Sequence, residues 1–129
     1  YLFVLVGLLN CGMSLLCEGN ADRRAAYALL SLRAGKKAMD ASAFELAVGY
    51  LRIGVDLLGK GRWDEHPDLA LELVSTAAEV ECANANQKAM KGYVDEILDR
   101  KELPVNDKVR VYLTLMHSLY FLEVSLSLI

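Results

Sequence analysis

The sequence predicts an all-α protein built from antiparallel helix pairs. Three observations carry this. Only two prolines interrupt 129 residues, and hydrophobic residues make up 54% of them, far from a disordered composition. Apolar residues recur at spacings of three and four, and no stretch sustains the alternation of a half-buried strand. Turn signals at Asp40-Ala41-Ser42, Gly59-Lys60-Gly61, Asn84-Ala85-Asn86 and Pro104-Val105-Asn106 cut the chain into helix-sized pieces. The length suffices for one domain with a real core.

The first segment, Tyr1 to Cys17 (YLFVLVGLLNCGMSLLC), carries no charge. As a helix it would be about 26 Å long, just short of the hydrocarbon thickness of a bilayer. Three readings stand: a buried helix of a larger fold, a membrane span, or a signal core. Asn10, Ser14 and the small residues Gly7, Cys11 and Gly12 fit helix packing better than lipid. No basic stretch precedes the segment and no small-residue cleavage site follows it. Residues 1–19 are therefore read as an apolar N-terminal helix buried in a larger fold, and residues 20–129 as the helical unit proper. Both ends read as cut, so the chain is expected to be a piece of a longer polypeptide.

Ala21 to Ala41 is rich in Ala, Leu, Arg and Lys, all good helix formers. Tyr27, Leu30, Ala34 and Ala38 share one side of this helix. Ala28, Leu32, Gly35 and Met39 form a second apolar side, and Arg33, Lys36, Lys37 and Asp40 take the polar remainder. Two apolar sides and one wet stripe predict a helix held between neighbours. Ser42 is placed to cap the next helix, about Ala43 to Leu58, with Phe44, Ala47, Leu51, Val55 and Leu58 on its apolar face. The Gly59-Lys60-Gly61 cluster stops it. Asp64 is expected to cap a third helix reaching about Ala83, with Pro67 in its first turn. A fourth covers about Gln87 to Arg100, and Asp107 opens a last one through about Tyr120. The closing YFLEVSLSLI is ambiguous between helix and strand.

A 43-residue offset aligns the two central helix pairs. Gly35 falls on Ala78, Ser42 on Ala85, Phe44 on Gln87, Ala47 on Met90, Leu51 on Val94 and Gly54 on Ile97. In the first pair this spacing resembles the tetratricopeptide pattern, with small residues where paired helices touch and larger ones filling the groove against the next pair. The second pair departs from it at Gln87, Met90 and Ile97. The period also exceeds the standard ~34 residues, so a generic α-solenoid or helical bundle stays open.

The segments AGKKAMDASAFELAVGYLRIGVDLL, WDEHPDLALELVSTAAEVE and NQKAMKGYVDEIL resemble the tetratricopeptide-like region of large multidomain signalling kinases. The resemblance runs from about Leu9 to Tyr120, and Leu9-Asn10-Cys11-Gly12 is similar to the end of the segment that precedes the repeats there. It implies a non-catalytic regulatory α-solenoid in a cytoplasmic protein that also carries an AAA/STAND-type NTPase and a histidine or serine/threonine kinase. The implied partners are proteins or peptides, including neighbouring domains of the same chain. The tail Phe121 to Ile129 departs from that family, where a polar turn and a further helix would be expected.

The residues offer little catalytic chemistry. Gly54-x-x-x-x-Gly59-Lys60 imitates a phosphate loop, but Val55-Asp56-Leu57-Leu58 closes an amphipathic helix, no strand precedes it, and Gly61 stands where the hydroxyl is needed. Trp63-Asp64-Glu65-His66 reads as a capped helix start with its acids at the positive end of the dipole. His117 is alone, and neither metal-ligand spacing nor a Ser/His/Asp arrangement occurs, so no catalytic residue, metal or cofactor is expected. Three cysteines without a CxxC pair favour a reducing compartment. A net charge of −3 argues against nucleic acid. Glu65, Asp68, Glu72 and Glu79 form an acidic stripe, and Arg33, Lys36 and Lys37 a basic one. The offset puts Lys36 on Glu79, so the stripes should lie side by side. Arg33, Lys36, Lys37, Glu72 and Glu79 are the candidate lining of a partner-binding groove, set against inter-helix ion pairing as the plain alternative.

Overall fold

The three- and four-residue apolar spacing becomes six helices among the described residues, 21–127 of the computed structural model, and no strand among them. They are α1 (Ala21–Asp40), α2 (Phe44–Leu58), the one-turn α3 (Arg62–Glu65), α4 (Pro67–Ala83), α5 (Gln87–Leu98) and α6 (Val105–Ser127). The expectations for Tyr1 to Cys17 fall outside these residues.

Helix α1 buries Ala28, Leu32, Ala34, Gly35 and Ala38 and leaves Arg33, Lys36, Lys37 and Asp40 exposed, as its periodicity predicts. Helix α2 returns along it. A Cβ on Gly35 would lie 2.7 Å from Leu51 Cγ, and one on Gly54 would lie 3.4 Å from the Ala28 carbonyl oxygen and from Ser31 Cβ. Positions late in α1 thus meet the middle of α2, and positions early in α1 meet its end, so the helices run in opposite directions. They touch closely enough to require glycine at both crossings.

The two reversals of the chain are built alike. Ser42 N–H donates to Met39 O (2.9 Å) and Ala43 N–H to Ala38 O (2.8 Å). Forty-three residues on, Ala85 N–H donates to Cys82 O (3.1 Å) and Asn86 N–H to Glu81 O (2.9 Å). Ser42 and Ala85 both sit at φ 60°. This is the Schellman arrangement, in which a left-handed residue lets the last helical carbonyls find donors. Ser42 therefore ends α1 instead of capping α2, whose N-cap is Ala43 with no side-chain hydrogen bond. Asn86 does cap α5, its Oδ1 accepting from Ala89 N–H at 3.2 Å. Alanine at positive φ is strained where glycine is not. Ala85→Gly is thus expected to raise stability by about 1 kcal/mol, read as a higher urea midpoint at unchanged slope. A lower midpoint would contradict the cap assignment.

Helix α4 is the centre of the packing. It contacts α1, α2, α3, α5 and α6, and is buried almost all round: Ala70, Leu73 to Ala78, Val80, Glu81 and Cys82 are all inside. Each fully buried Leu or Val there contributes about 1.5–3 kcal/mol relative to exposure. Pro67 opens the helix, where a missing N–H does least harm. Asp64 is not its cap. It belongs to α3, and His66 holds the N-cap position without a side-chain bond, because Arg62 to Glu65 wind into a turn of their own. Trp63 is buried beneath the Arg100 guanidinium, 5.1 Å from the ring centroid. Arg62 donates to Gly59 O at 2.8 Å and pairs with Glu96, tying this turn to α5.

Helix α6 packs on α4 and α5 through Val111, Thr114 and Ser118. It continues through Ser127, beyond the end expected near Tyr120, so residues 121–127 of the ambiguous tail are helical. Gln87 breaks the aromatic pattern for a physical reason. Its Oε1 accepts a hydrogen bond from Ser118 Oγ on α6, which a phenyl ring could not do.

Candidate functional site

Helices α1, α4 and α6 share one face, and charged side chains bridge them. Lys36 Nζ on α1 lies 2.5 Å from Glu72 Oε1 on α4. The other oxygen, Glu72 Oε2, accepts from Arg110 Nη1 on α6 at 2.8 Å. Arg110 also pairs with Glu79, and its Nη2 lies 3.4 Å from Thr76 Oγ1. Thr76 Oγ1 donates back to Glu72 O at 2.7 Å. Three of the five sequence candidates, Lys36, Glu72 and Glu79, thus join one network. Arg33 and Lys37 stand exposed on α1 and take no part in it. Lys36 reaches Glu72, two turns before the Glu79 expected from the offset, and Arg110 bridges both carboxylates.

Burial alone would push the Glu72 carboxyl up, but the Lys36 hydrogen bond and the Arg110 and Lys36 charges outweigh it and hold the group below the usual carboxylate range. A carboxyl depressed in the folded state contributes stability that is complete above its unfolded value, about 4.3. That contribution disappears as pH falls through the folded value. The side chain is 36% exposed, so solvent screens the effect. Wild type and Glu72→Gln should therefore differ most in stability near neutral pH and converge in acid. A difference constant from neutral pH down to about pH 3 would show that Glu72 carries no linked charge.

Beside the network lies a cleft of about 320 Å3 lined by Met39, Glu79, Cys82, Arg110, Leu113, Thr114 and His117. Met39, Cys82 and Leu113 supply apolar walls, and Glu79, Arg110 and His117 supply polar ones. Cys82 is a free, buried thiol whose pKa burial raises, which makes it a wall and a poor nucleophile. Among the described residues, no group of three or more His, Cys, Asp or Glu side chains is placed to hold a metal ion. Nor, among them, is any helix long and apolar enough to cross a membrane. Gly54 lies inside α2, pressed against Leu73, so the phosphate-loop spacing belongs to helix packing. No family model, curated protein or solved structure matches the chain. Its chemistry must be read from its own residues.

Sequence reasoning passed over Arg110 and Glu81. Arg110 looks ordinary in a helix of mixed character, and only its place opposite two carboxylates marks it. Glu81 is 1% exposed, and its Oε1 accepts a hydrogen bond from Arg52 Nε (3.0 Å) on α2 and lies 2.9 Å from Arg52 Nη2 in an ion pair. A signal was present: Glu81 follows Leu73 and Ala77 at intervals of four, so it falls on the apolar side of α4. Burial first, and the Glu81 charge next, push the nearby Tyr93 phenol up.

Proposed function

We propose that this chain is a non-catalytic, tetratricopeptide-like α-solenoid segment that binds a protein or peptide on the face formed by α1, α4 and α6. The carrying observation is the recurrence of one reversal, hydrogen bond for hydrogen bond, at the 43-residue offset. The packing order supports the same reading, since α4 contacts both α1 and α2, and α6 contacts both α4 and α5. Stacked pairs of this kind make a surface whose side chains are already positioned, so little ordering entropy is lost on docking.

In this reading the cleft beside Arg110 receives an anchor side chain of the partner. A charged residue flanking that anchor exchanges with the exposed ion pairs, each worth under about 1 kcal/mol and therefore easily replaced. In a multidomain signalling kinase of the kind the sequence resembles, such a groove would hold a neighbouring domain in the cytoplasm and respond to its state. The test is selection of peptides from a phage-displayed library against the full chain. The Lys36→Ala/Glu79→Ala variant should keep its helical signal and bind the selected peptides about tenfold more weakly, or about 1.4 kcal/mol. Unchanged affinity in the folded variant would refute the groove.

A further inference from the structure

The cleft between α1, α4 and α6 is small, and its walls select what can enter. At about 320 Å3 it stands at the low end for a binding pocket, a size for one side chain and not for a length of peptide. Met39 and Cys82 are two of its three apolar walls, and Leu113 is the third. Sulfur side chains make favourable contacts with the edges of aromatic rings. A flat ring also supplies large apolar area with few rotatable bonds to freeze.

The charges beside the cleft disfavour ionised anchors of either sign. Arg110 is fully engaged: its Nη1 holds Glu72, and its Nη2 holds Glu79 and lies 3.4 Å from Thr76 Oγ1. An incoming anion would have to displace those carboxylates and then sit beside Glu79, and a cation would have to sit beside Arg110. A purely apolar anchor would strip water from polar walls and return no hydrogen bond. Thr114 has no such need, because its Oγ1 donates to Arg110 O at 3.0 Å. Two groups do. Glu79 meets Arg110 through Oε1, which leaves Oε2 to accept. The His117 ring makes no hydrogen bond among the described residues, which leaves an N–H to donate.

We infer that the cleft takes an unphosphorylated tyrosine side chain of the bound peptide, its hydroxyl donating to Glu79 and accepting from His117. Of phenylalanine, tryptophan and tyrosine, only tyrosine carries a group that both donates and accepts. Phosphorylation would put a charge of about −1.5 to −2 beside the Glu72 and Glu79 carboxylates, so the same tyrosine would be released once modified. This inference rests on the groove proposed above and names what enters it.

Synthetic libraries of randomised peptides with a central tyrosine, phenylalanine or phosphotyrosine, screened against the full chain, separate the two claims. The tyrosine library should yield the tightest binders. In the best of them, phenylalanine in place of tyrosine should weaken binding about tenfold, and phosphotyrosine by about tenfold or more. His117→Ala, at an exposed position, should keep its helical circular dichroism and shrink the phenylalanine effect to about twofold. Peptides that lose affinity for the Lys36→Ala/Glu79→Ala variant, yet accept phenylalanine equally or prefer phosphotyrosine, would overturn the tyrosine assignment and leave the groove standing. So would a tyrosine preference that His117→Ala leaves intact. Binding from none of the libraries would refute the groove and the inference with it.

Discussion

Arg52→Ala is expected to destabilise the protein by about 3–5 kcal/mol, far more than an exposed arginine ordinarily matters. Arg52 is half exposed, but its partner is not: Glu81 is 1% exposed, and only its Oε1 is hydrogen bonded, to that guanidinium. Removing the arginine leaves a carboxylate inside the α2–α4 contact with nothing to replace lost water. The size of the effect comes from the orphaned charge and not from the pair's net worth. Arg52→Met combined with Glu81→Leu should therefore recover most of the loss or exceed wild type. Urea unfolding of the three proteins decides it. A cost below about 1 kcal/mol for Arg52→Ala would mean that water reaches Glu81 and that the α2–α4 contact is looser than described.

Gly35→Val should be comparably severe, about 3 kcal/mol or more. A β-carbon there would stand 2.7 Å from Leu51 Cγ and 2.8 Å from its Cδ2, closer than real contacts allow, and Leu51 is itself fully buried. Even Gly35→Ala, which gains about 1 kcal/mol of helix propensity, should lose more than that to the collision. The pair should couple. Leu51→Ala alone leaves a cavity and costs about 2–5 kcal/mol, but in the Gly35→Ala background it relieves the overlap, so the double variant should be less destabilised than the sum. Strict additivity would show that the crossing of α1 and α2 is not where the glycine places it.

Much of the fold was legible before any coordinates. The apolar spacing located α1 and α2 to within a residue, and the repeat spacing marked Gly35 and Gly54, among the helical glycines, as points of close helix contact. The 43-residue offset was visible in the sequence, yet its deepest expression was not. Ser42 and Ala85 take the same left-handed backbone, and neither residue type advertises that conformation. Ser42 therefore read as an N-cap. The charged face was half legible: Lys36, Glu72 and Glu79 were found because same-helix spacing is written in one dimension. Arg110 was missed because its partners lie 31 and 38 residues away. Helix α6 hid its meaning similarly. Its periodicity announces a helix, but only packing reveals that Thr114 and Ser118 face inward while Met116 and Tyr120 face out.

The central claim is that the α1, α4 and α6 face is a docking groove. Amide hydrogen exchange of the full chain, with and without a library-selected peptide, tests it most directly. The claim predicts slowed exchange concentrated at 33–39 of α1, 72–82 of α4 and 110–117 of α6, with α2 and α5 little changed. Protection centred on α2 and α5, or none in the three groove helices at saturating peptide, would contradict it.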